Sequence, residues 1–416
     1  MFLVYEIVLP LLALILSPVI LVAFIIKPKL RAGFFSKIGL YSNPFTERKT
    51  VVFHAVSVGE VNAISQLIKE YRVKNPNKFI VLTTTTKTGQ EVAQNALASV
   101  VDEFTYFPYD FLFSVESFFD TYTPETVVIA ETEIWPCFVN VAKKRGIKVY
   151  IANGRISPHS YDGYRKFSLF FKPILAKYEK IMMQSKGDAA RIVDIGADPD
   201  KTFIMGNLKF DIMPALTVAE VSELKEGLKL GENRLLIAAS THDGEEEIVL
   251  TTYKKLKEKH TDLKLMIAPR HPQRYQKVEE LIRYANMSYG RRSNGDNFEE
   301  NEIIMLDTMG ELANIFSVCS LAYIGGSFSQ TGGHNPLEAN IWGKPVVSGP
   351  NVFNFTDIYK FLTSSSAATV VSTEDDLEFE IDELLSDQEY YSQAQQDALT
   401  IFEESRGAVE FVLNEI

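Results

Sequence analysis

The chain has 416 residues, of which 46% are hydrophobic and 23% charged, so it is long enough for two domains and too apolar to be disordered. Its formal net charge of −12 argues against a nucleic-acid partner held by general electrostatics. The cysteines, Cys137 and Cys319, lie far apart within apolar segments, which excludes a disulfide scaffold and gives no metal-ligand spacing.

The N-terminal segment predicts a membrane anchor. From Phe2 to Ile26 the only charged side chain is Glu6, and about 25 helical residues at roughly 1.5 Å each would cross a hydrocarbon core. No basic region precedes this run, which argues against a cleaved signal peptide. We therefore expect residues 1–26 to form a single-pass anchor. The basic residues that follow predict that the rest of the chain is cytoplasmic: Lys27, Lys29, Arg31 and Lys37.

After the anchor, short apolar runs alternate with helical stretches, which is typical of a parallel sheet covered on both faces. In the first half, strands are predicted at 51–55, 79–84, 127–130, 148–152 and 180–183. A linker is predicted at 211–217, and a second series of strands follows at 235–240, 263–269, 302–307, 321–326, 345–349 and 367–372. We therefore expect two doubly wound, Rossmann-like α/β domains, residues 27–213 and 214–416, that face a central cleft. The last helix could pack back onto the first domain.

A long glycine-rich loop, residues 325–333, follows one of these predicted strands. The next residues read as a helix start, with Asn335 as the cap, Pro336 at the first helical position and Glu338 three residues after the cap. Backbone N–H groups of such a loop and helix can face an anion. An ordinary strand–helix–strand crossover is the alternative, but the length and polarity of the loop favour a phosphate or nucleotide site.

Ligands of open α/β sheets bind beyond the carboxyl ends of the strands, so the residues that follow the predicted strands are candidates for chemistry. In the first half these include carboxylates. Glu60 could reach a cleft, or it could close a capping box with Ser57, and the spacing leaves both interpretations open. In the second half, Arg270 lies between prolines and could grip a phosphate with two hydrogen bonds, the alternative being a surface salt bridge. Glu338 could cap its own helix or accept from a ribose hydroxyl.

Taken in order, eight motifs resemble those of one family, the 3-deoxy-D-manno-octulosonic acid (Kdo) transferases of lipopolysaccharide synthesis. They are HAVSVGE (54–60), ETEIWP (131–136), NGRIS (153–157), GNLKFD (206–211), AASTHDGEE (238–246), PRHPQR (269–274), DTMGEL (307–312) and GGHNPLE (332–338). The resemblance implies a GT-B fold and inverting transfer of Kdo from CMP-Kdo to a lipid A precursor of the lipid IVA type. It also implies that the enzyme works at the cytoplasmic face of the inner membrane. Because His54, His242, His271 and His334 form no metal-ligand spacing, the sequence predicts no metal site, and no cofactor is expected.

The resemblance assigns roles residue by residue. Glu60 matches the general base, while Glu131 and Lys209 match positions that stabilise the transition state. With the glycine loop included, the expected CMP contacts are Pro269, Arg270, Met309, Gly310, Glu311, Gly326, Ser327, Asn335, Pro336, Leu337 and Glu338. The expected acceptor contacts are Ser57, Gly59, Thr85 and Arg155. The threonine-rich stretch 83–88 departs from the family pattern, where serine or methionine is common.

Two other functions stay open at this stage. A transferase or epimerase of the same fold could use UDP-sugars, and competition between CMP and UDP separates the two donors. A membrane-tethered module that binds a nucleotide without turnover would transfer no sugar to any lipid. The aromatic run 167–171 could belong to a core or to a surface that meets membrane lipids. The sequence does not assign an oligomeric state.

Overall fold

The computed structural model describes residues 2–26, 31–42, 47–211 and 216–416. The chain divides into two compact units. The first comprises Met1–Asp211 together with Ser405–Ile416, and the second comprises Ile212–Glu404. Two α/β domains built on parallel sheets are therefore confirmed. Part of the predicted linker, residues 212–215, lies outside the described residues.

The first unit is built on a parallel sheet whose described strands have the order β3-β2-β1-β4-β5-β6-β7. Its central strands are buried along nearly their whole length, which agrees with their continuous apolar sequences. The sequence did not predict β3 and β7, which lie at the edges of the sheet and are short and partly polar. The strands are β1 Thr50–Ala55, β2 Phe79–Thr84, β3 Glu103–Tyr106, β4 Pro124–Ala130, β5 Lys148–Gly154, β6 Lys180–Met183 and β7 Thr202–Ile204.

Helices cover both faces of this sheet and form two apolar cores with it. The C-terminal helix α18, Ala408–Glu415, belongs to this unit: the backbone N–H groups of Gly407 and Val409 donate to the carboxylate of Asp211. The earlier helices are α1 Phe2–Ile26, α2 Phe34–Lys37, α3 Val58–Lys74, α4 Lys87–Leu97, α5 Leu112–Tyr122, α6 Pro136–Lys144, α7 Pro158–Lys166, α8 Ser168–Leu175 and α9 Lys186–Ile195.

Helix α1 has the predicted length, but its role as a membrane anchor is not supported. Among the described residues, no helix combines the length and apolarity that crossing a bilayer requires. The first turns of α1 instead make polar contacts with the first unit. The Tyr5 hydroxyl donates to the Asp110 carboxylate over 2.9 Å, and the Asn140 side chain donates to Glu6 over 3.4 Å.

Two of the basic residues that predicted the orientation, Arg31 and Lys37, make contacts within the protein. Arg31 donates from its guanidinium to the carbonyls of Phe24 and Ile25, both at 2.8 Å, and so satisfies carbonyls at the end of α1. Lys37 is buried, and burial lowers the pKa of its ammonium group. Lys27 and Lys29 lie outside the described residues. The cytoplasmic orientation stays a prediction.

The second unit repeats the architecture, with a parallel sheet whose described strands have the order β10-β11-β9-β8-β12-β13-β14. The sequence did not predict β10, which lies at the edge of the sheet and contains Gly290 between Tyr289 and Arg291. The strands are β8 Arg234–Thr241, β9 Leu263–Pro269, β10 Tyr289–Arg291, β11 Ile303–Met305, β12 Leu321–Ile324, β13 Val346–Ser348 and β14 Ala368–Val370. The helices are α10 Val218–Gly227, α11 Glu245–Lys259, α12 Tyr275–Tyr284, α13 Leu312–Ile315, α14 Leu337–Asn340, α15 Thr356–Leu362, α16 Glu374–Ser386 and α17 Gln388–Ser405.

Each sheet has one point where the strand order reverses. In the first unit β1 lies between β2 and β4, and in the second β8 lies between β9 and β12. The connections that leave such neighbouring strands run to opposite sides, which opens a crevice at the carboxyl edge where ligands of this fold class bind. These two points therefore fix where candidate site residues should be sought.

Candidate active site

In the first unit, the candidate residues gather at the carboxyl edge of the sheet. Ser57, Gly59 and Glu60 follow β1, and Glu131 follows β4, the neighbour of β1 at the reversal point. The Glu60 and Glu131 side chains interact electrostatically, because the charge of Glu131 raises the pKa of Glu60. Two carboxylates predicted from separate motifs therefore lie at one place.

Glu60 lies in the first turn of α3 and is only 8% exposed. The backbone N–H of Val56 donates to one of its carboxylate oxygens over 2.6 Å, and the Ser57 hydroxyl donates to the other over 3.2 Å. Burial raises the pKa of Glu60, the Val56 and Ser57 hydrogen bonds lower it in part, and the charges of Glu131 and Glu133 raise it further, to about 7. A carboxyl group with this pKa can take up a proton near neutral pH.

The capping-box interpretation of Ser57 and Glu60 is not met. Ser57 stands at the N-cap of α3, but its side chain accepts no hydrogen bond from the helix backbone. Its hydroxyl instead donates to Glu60. Glu60 is thus held by donors on its own loop, with its carboxylate at the reversal point, and the spacing alone could not decide between these arrangements.

Glu131 is fixed by an unusual backbone conformation. Its φ angle is 56°, in the left-handed region that residues other than glycine seldom adopt, and its N–H donates to the Ala152 carbonyl over 2.8 Å. Glu133, which the sequence offered only as a residue of the same motif, adds a third carboxyl group. Burial and the charge of Glu131 raise the pKa of Glu133. Anionic groups clustered in this way favour a cationic species bound beside them.

Lys209 follows β7, but its turn is tied back to the centre of the sheet. The neighbouring Leu208 donates its N–H to the buried side chain of Asn153, at the end of β5, over 3.0 Å. Leu208 also belongs to the apolar core that contains Val61 of α3. Lys209 itself is half-buried, and its N–H donates to the Asn207 side chain over 3.0 Å. The Gly-Asn-Leu-Lys motif thus brings Lys209 towards the start of α3.

The remaining acceptor candidates lie at the same edge. Thr85, after β2, donates its N–H to the carbonyl of Val56 over 3.3 Å, so it adjoins the residue that binds Glu60. The Thr85 hydroxyl is buried and has no hydrogen-bond partner among the described residues. Arg155, after β5, is exposed, and its N–H donates to the Thr132 hydroxyl over 2.8 Å. Gly59 is exposed at the second position of α3.

In the second unit, the N–H groups of the glycine loop already bind an anionic group, which is a side chain of the protein itself. The carboxylate of Glu245, 1% exposed at the start of α11, accepts from the backbone N–H groups of Gly326, Ser327 and Phe328 at 2.7 to 2.9 Å. It also accepts from the N–H of His242 at 2.8 Å and from the hydroxyl of Tyr323 at 2.9 Å. The loop is indeed an anion-binding nest, but its ligand is internal.

This geometry corrects the phosphate site predicted at Gly326 and Ser327. Their N–H groups are directed at Glu245, and Ser327 is fully buried with its hydroxyl donating to Ile324. Neither residue offers a free donor to a phosphate. The sequence signal for the nest was sound, but nothing in the spacing revealed that a carboxylate about 80 residues earlier in the chain fills it.

Arg270, which follows Pro269 at the end of β9, is an exposed cation at this edge. Its N–H donates to the Thr241 carbonyl at 3.0 Å, which fixes the backbone beside β8. The positive charge of Arg270 acts on the pKa of both His334 and Glu338. The structure therefore brings Arg270 together with the segment that follows the glycine loop.

The predicted helix at Asn335–Glu338 is a single turn, α14, which begins at Leu337. The Asn335 side chain accepts from the Leu337 N–H at 3.2 Å and donates weakly to Glu338 at 3.5 Å. Burial raises the pKa of Glu338, whereas the Asn335 hydrogen bond and the charge of Arg270 lower it. Pro336 and Leu337 are buried, so the polar groups that this segment presents are Asn335 and Glu338.

Met309, Gly310 and Glu311 follow β11, the neighbour of β9. Met309 is 73% exposed and Gly310 has a φ angle of 86°. The Glu311 carboxylate accepts from Arg292 at 3.0 Å and from Thr308 at 2.9 Å, so it is held within its own loop. Among the described residues, no cluster of three or more His, Cys, Asp and Glu side chains could hold a metal ion.

Comparisons with known proteins agree with this arrangement. Residues 32–212 match the family model described as 3-Deoxy-D-manno-octulosonic-acid transferase (kdotransferase). The 3-deoxy-D-manno-octulosonic acid transferase of Haemophilus influenzae is 32% identical over 391 residues, 93% of this chain and 91% of that protein. The probable mitochondrial 3-deoxy-D-manno-octulosonic acid transferase of Arabidopsis thaliana is 31% identical over 361 residues, 84% and 80% of the two chains. The solved structure of UDP-GlcNAc 2-epimerase from Neisseria meningitidis bound to UDP-GlcNAc matches in fold, with a TM-score of 0.60, 12% identity and coverage of 88% and 98%.

Proposed function

We propose a specific reaction for this chain, which belongs to the Kdo transferase family and is a glycosyltransferase. In this reaction Kdo is transferred with inversion from CMP-Kdo to a lipid A precursor in lipopolysaccharide synthesis, and Glu60 is the general base. The observation that carries the proposal is the state of Glu60. It is a buried carboxyl group at the reversal point of the first sheet, with a pKa raised to about 7. A base of this kind deprotonates a sugar hydroxyl without a metal.

In the proposed reaction, the hydroxyl oxygen of the acceptor attacks the anomeric carbon of Kdo on the face opposite CMP. Its proton passes to the Glu60 carboxylate, the bond between the anomeric carbon and the phosphate oxygen breaks, and the electron pair leaves with CMP. The sugar is cation-like at the transition state, which the clustered charge of Glu131 favours. Lys209 is the other residue of the first unit that we propose to stabilise the transition state.

On the donor side, we assign the phosphate of CMP to Arg270 rather than to the glycine loop. Arg270 is exposed, whereas the N–H groups of the loop are bound to Glu245. The charge of Arg270 lowers the pKa of Glu338, and the Asn335 side chain donates a hydrogen bond to Glu338. Glu338 and Asn335 are therefore suited to a ribose or base contact beside Arg270. An arginine beside a phosphate forms two parallel, charge-assisted hydrogen bonds.

A binding experiment tests the donor. CMP is titrated into the protein in competition with UDP, and Arg270→Gln is compared with Arg283→Gln, an exposed arginine on α12. We expect CMP to bind more tightly than UDP and Arg270→Gln to lose at least about tenfold in affinity. Tighter binding of UDP would overturn the assignment of the donor. The epimerase likeness does not favour UDP, because 12% identity supports the fold alone.

The acceptor is a lipid, so we propose that the first unit meets a membrane surface, at the cytoplasmic face that the sequence predicted. Phe170 and Phe171 are half-buried against the core, and the Phe170 ring lies 5.9 Å from that of Tyr5. Phe167 and Leu169 beside them are 64% and 80% exposed. Exposed apolar side chains grouped in this way support a lipid contact.

Liposome binding checks this surface. The double variant Phe167→Ser and Leu169→Ser is expected to bind liposomes more weakly while keeping its far-UV circular dichroism. Val218→Ser serves as the control, because Val218 is 86% exposed and belongs to the second unit. Equal liposome affinity of the double variant and the control would remove this surface from the proposal.

A further inference from the structure

Two histidines of the second unit form a pair that the proposed chemistry has not used. His242 follows β8 and His334 follows the glycine loop, so they come from the two strands of the reversal point. Their Nε2 atoms are 2.8 Å apart. The ring planes differ by 11°, and the 5.1 Å between ring centroids equals the N···N distance plus roughly one ring radius at each end. The imidazoles therefore meet end to end, not face to face.

This geometry has a definite proton count. Two nitrogens at hydrogen-bond distance need one proton between them, so one Nε2 donates and the other accepts through its lone pair. A metal ion has no room between nitrogens that point at each other at this distance. Taking up one more proton, on an outer Nδ1, leaves the central hydrogen bond intact. The pair can thus be neutral or carry one positive charge without changing its contact.

The surroundings keep the pair neutral when no ligand is bound. Burial and the positive charges of His242, Arg270 and His271 together lower the pKa of His334 to about 4. Burial also lowers the pKa of His242, as do the charges of His271, Arg274 and Arg270. Glu245 is the neighbouring group that raises both, and its carboxylate is already bound by five donors. An anion beside Arg270 would reverse this balance.

We propose that His242 and His334 act as one donor-recognition element, which takes up a proton from solvent when the anionic phosphate of the donor binds beside Arg270. The inference rests on the proposed function, because it needs an anionic leaving group at this edge. The charged pair then faces the phosphate as it gains negative charge with the departure of CMP. The proton remains on the pair during transfer and returns to solvent when CMP leaves.

The glycine loop supplies a second observation for this arrangement. A Cβ added to Gly326 would lie 3.0 Å from Cδ2 and 3.2 Å from Nε2 of His334. The imidazole is therefore packed directly against the backbone that Glu245 holds. Gly326 serves the placement of His334, which gives the glycine a role in the site after its N–H is excluded from phosphate binding.

Calorimetry tests the proposal directly. CMP is titrated near neutral pH in two buffers with different enthalpies of ionisation, and the difference in binding heat gives the protons taken up per CMP. For the wild-type protein we expect an uptake approaching about one proton beyond what CMP itself exchanges. His334→Gln keeps a polar side chain but cannot carry the charge, and is expected to lose this uptake and to bind CMP about tenfold more weakly. His159→Gln, an exposed histidine of the first unit, is the control.

The outcomes separate the two proposals. Binding of CMP with the same proton uptake in the wild type and in His334→Gln would overturn the role of the pair and leave the proposed function standing. Absence of any CMP binding by the wild type would overturn the donor, and with it the inference. If His334→Gln does not fold, the wild type alone decides through pH. The affinity of CMP must then fall more steeply from about pH 6 to pH 8 than the titration of free CMP explains, and an equal slope would refute the pair.

Discussion

Replacing Glu60 by glutamine tests the base most sharply, because glutamine keeps the shape and can still accept from the Val56 N–H but cannot take a proton. A general base contributes about 10²- to 10⁴-fold to a rate, so we expect kcat to fall by that factor while CMP still binds. The matched control is Glu70→Gln, a glutamate further along the same helix and away from the carboxyl edge of the sheet.

The pH dependence carries the quantitative part of this prediction. With a pKa of about 7, Glu60 is ionised in roughly one molecule in ten at pH 6 and in about nine in ten at pH 8. Because the base acts in its ionised form, kcat/KM should rise with pH through about 7. An ordinary glutamate would place this rise near its usual value of 4.5. The measurement is the rate of Kdo transfer to a tetra-acylated lipid A precursor across this range.

Glu133 links the pH profile to the structure. Its negative charge raises the pKa of Glu60, so Glu133→Gln should move the acid limb of kcat/KM to lower pH. Equal turnover of Glu60→Gln and Glu70→Gln would refute the role of Glu60 as the base. An acid limb that stays in place in Glu133→Gln would show that the carboxylates are not coupled.

Three further predictions concern stability. Because the pKa of Glu60 is raised, its contribution to stability is complete below about pH 4.5 and is lost as pH rises through about 7. The Tm advantage of Glu60→Gln over wild type should therefore grow from pH 5 to pH 8 in a thermal melt. A constant difference in Tm would contradict the raised pKa. Gly326 has a φ angle of 71° and a histidine ring against it, so Gly326→Ala should lower the free energy of unfolding by about 1–2 kcal/mol, whereas Gly227→Ala, in open space on α10, should not. Glu245→Ala leaves buried donors without an acceptor and should lower the free energy of unfolding in urea titrations by about 3 kcal/mol or more. Glu247→Ala, which removes an exposed glutamate from the same turn of α11, should cost little, and equal losses would show that the nest does not depend on Glu245.

Much of the sheet architecture could be predicted because central parallel strands are buried on both faces and read as unbroken apolar runs. The run at 79–84 coincides with β2, and 180–183 with β6. The edge strands escaped prediction for the same reason, since β3 and β10 are covered less fully and mix polar with apolar residues. Residues directly after the central strands, such as Glu60, could be found from position alone.

Contacts between distant segments could not be predicted. The glycine loop predicted a site for an anion, but the group bound there is the carboxylate of Glu245. This residue lies in the first turn of a helix that begins after another strand. Three successive glutamates at a helix start also complement the helix dipole, so their sequence gave no sign of this role. The sequence places Lys37 among the basic residues that follow the predicted anchor, yet it is buried and donates to the Thr85 carbonyl over 2.9 Å. Local pattern does not report which side chains tertiary structure brings together.

The most direct test of the proposed function is the mass of the product. The protein is incubated with CMP-Kdo and a tetra-acylated lipid A precursor, and both the lipid and the released nucleotide are analysed by mass spectrometry. We predict a lipid that is heavier by at least one Kdo residue, with one CMP released per Kdo residue transferred, and formation of both products about 10²- to 10⁴-fold slower with Glu60→Gln. A lipid of unchanged mass in a sample where the wild-type protein binds CMP would contradict the account.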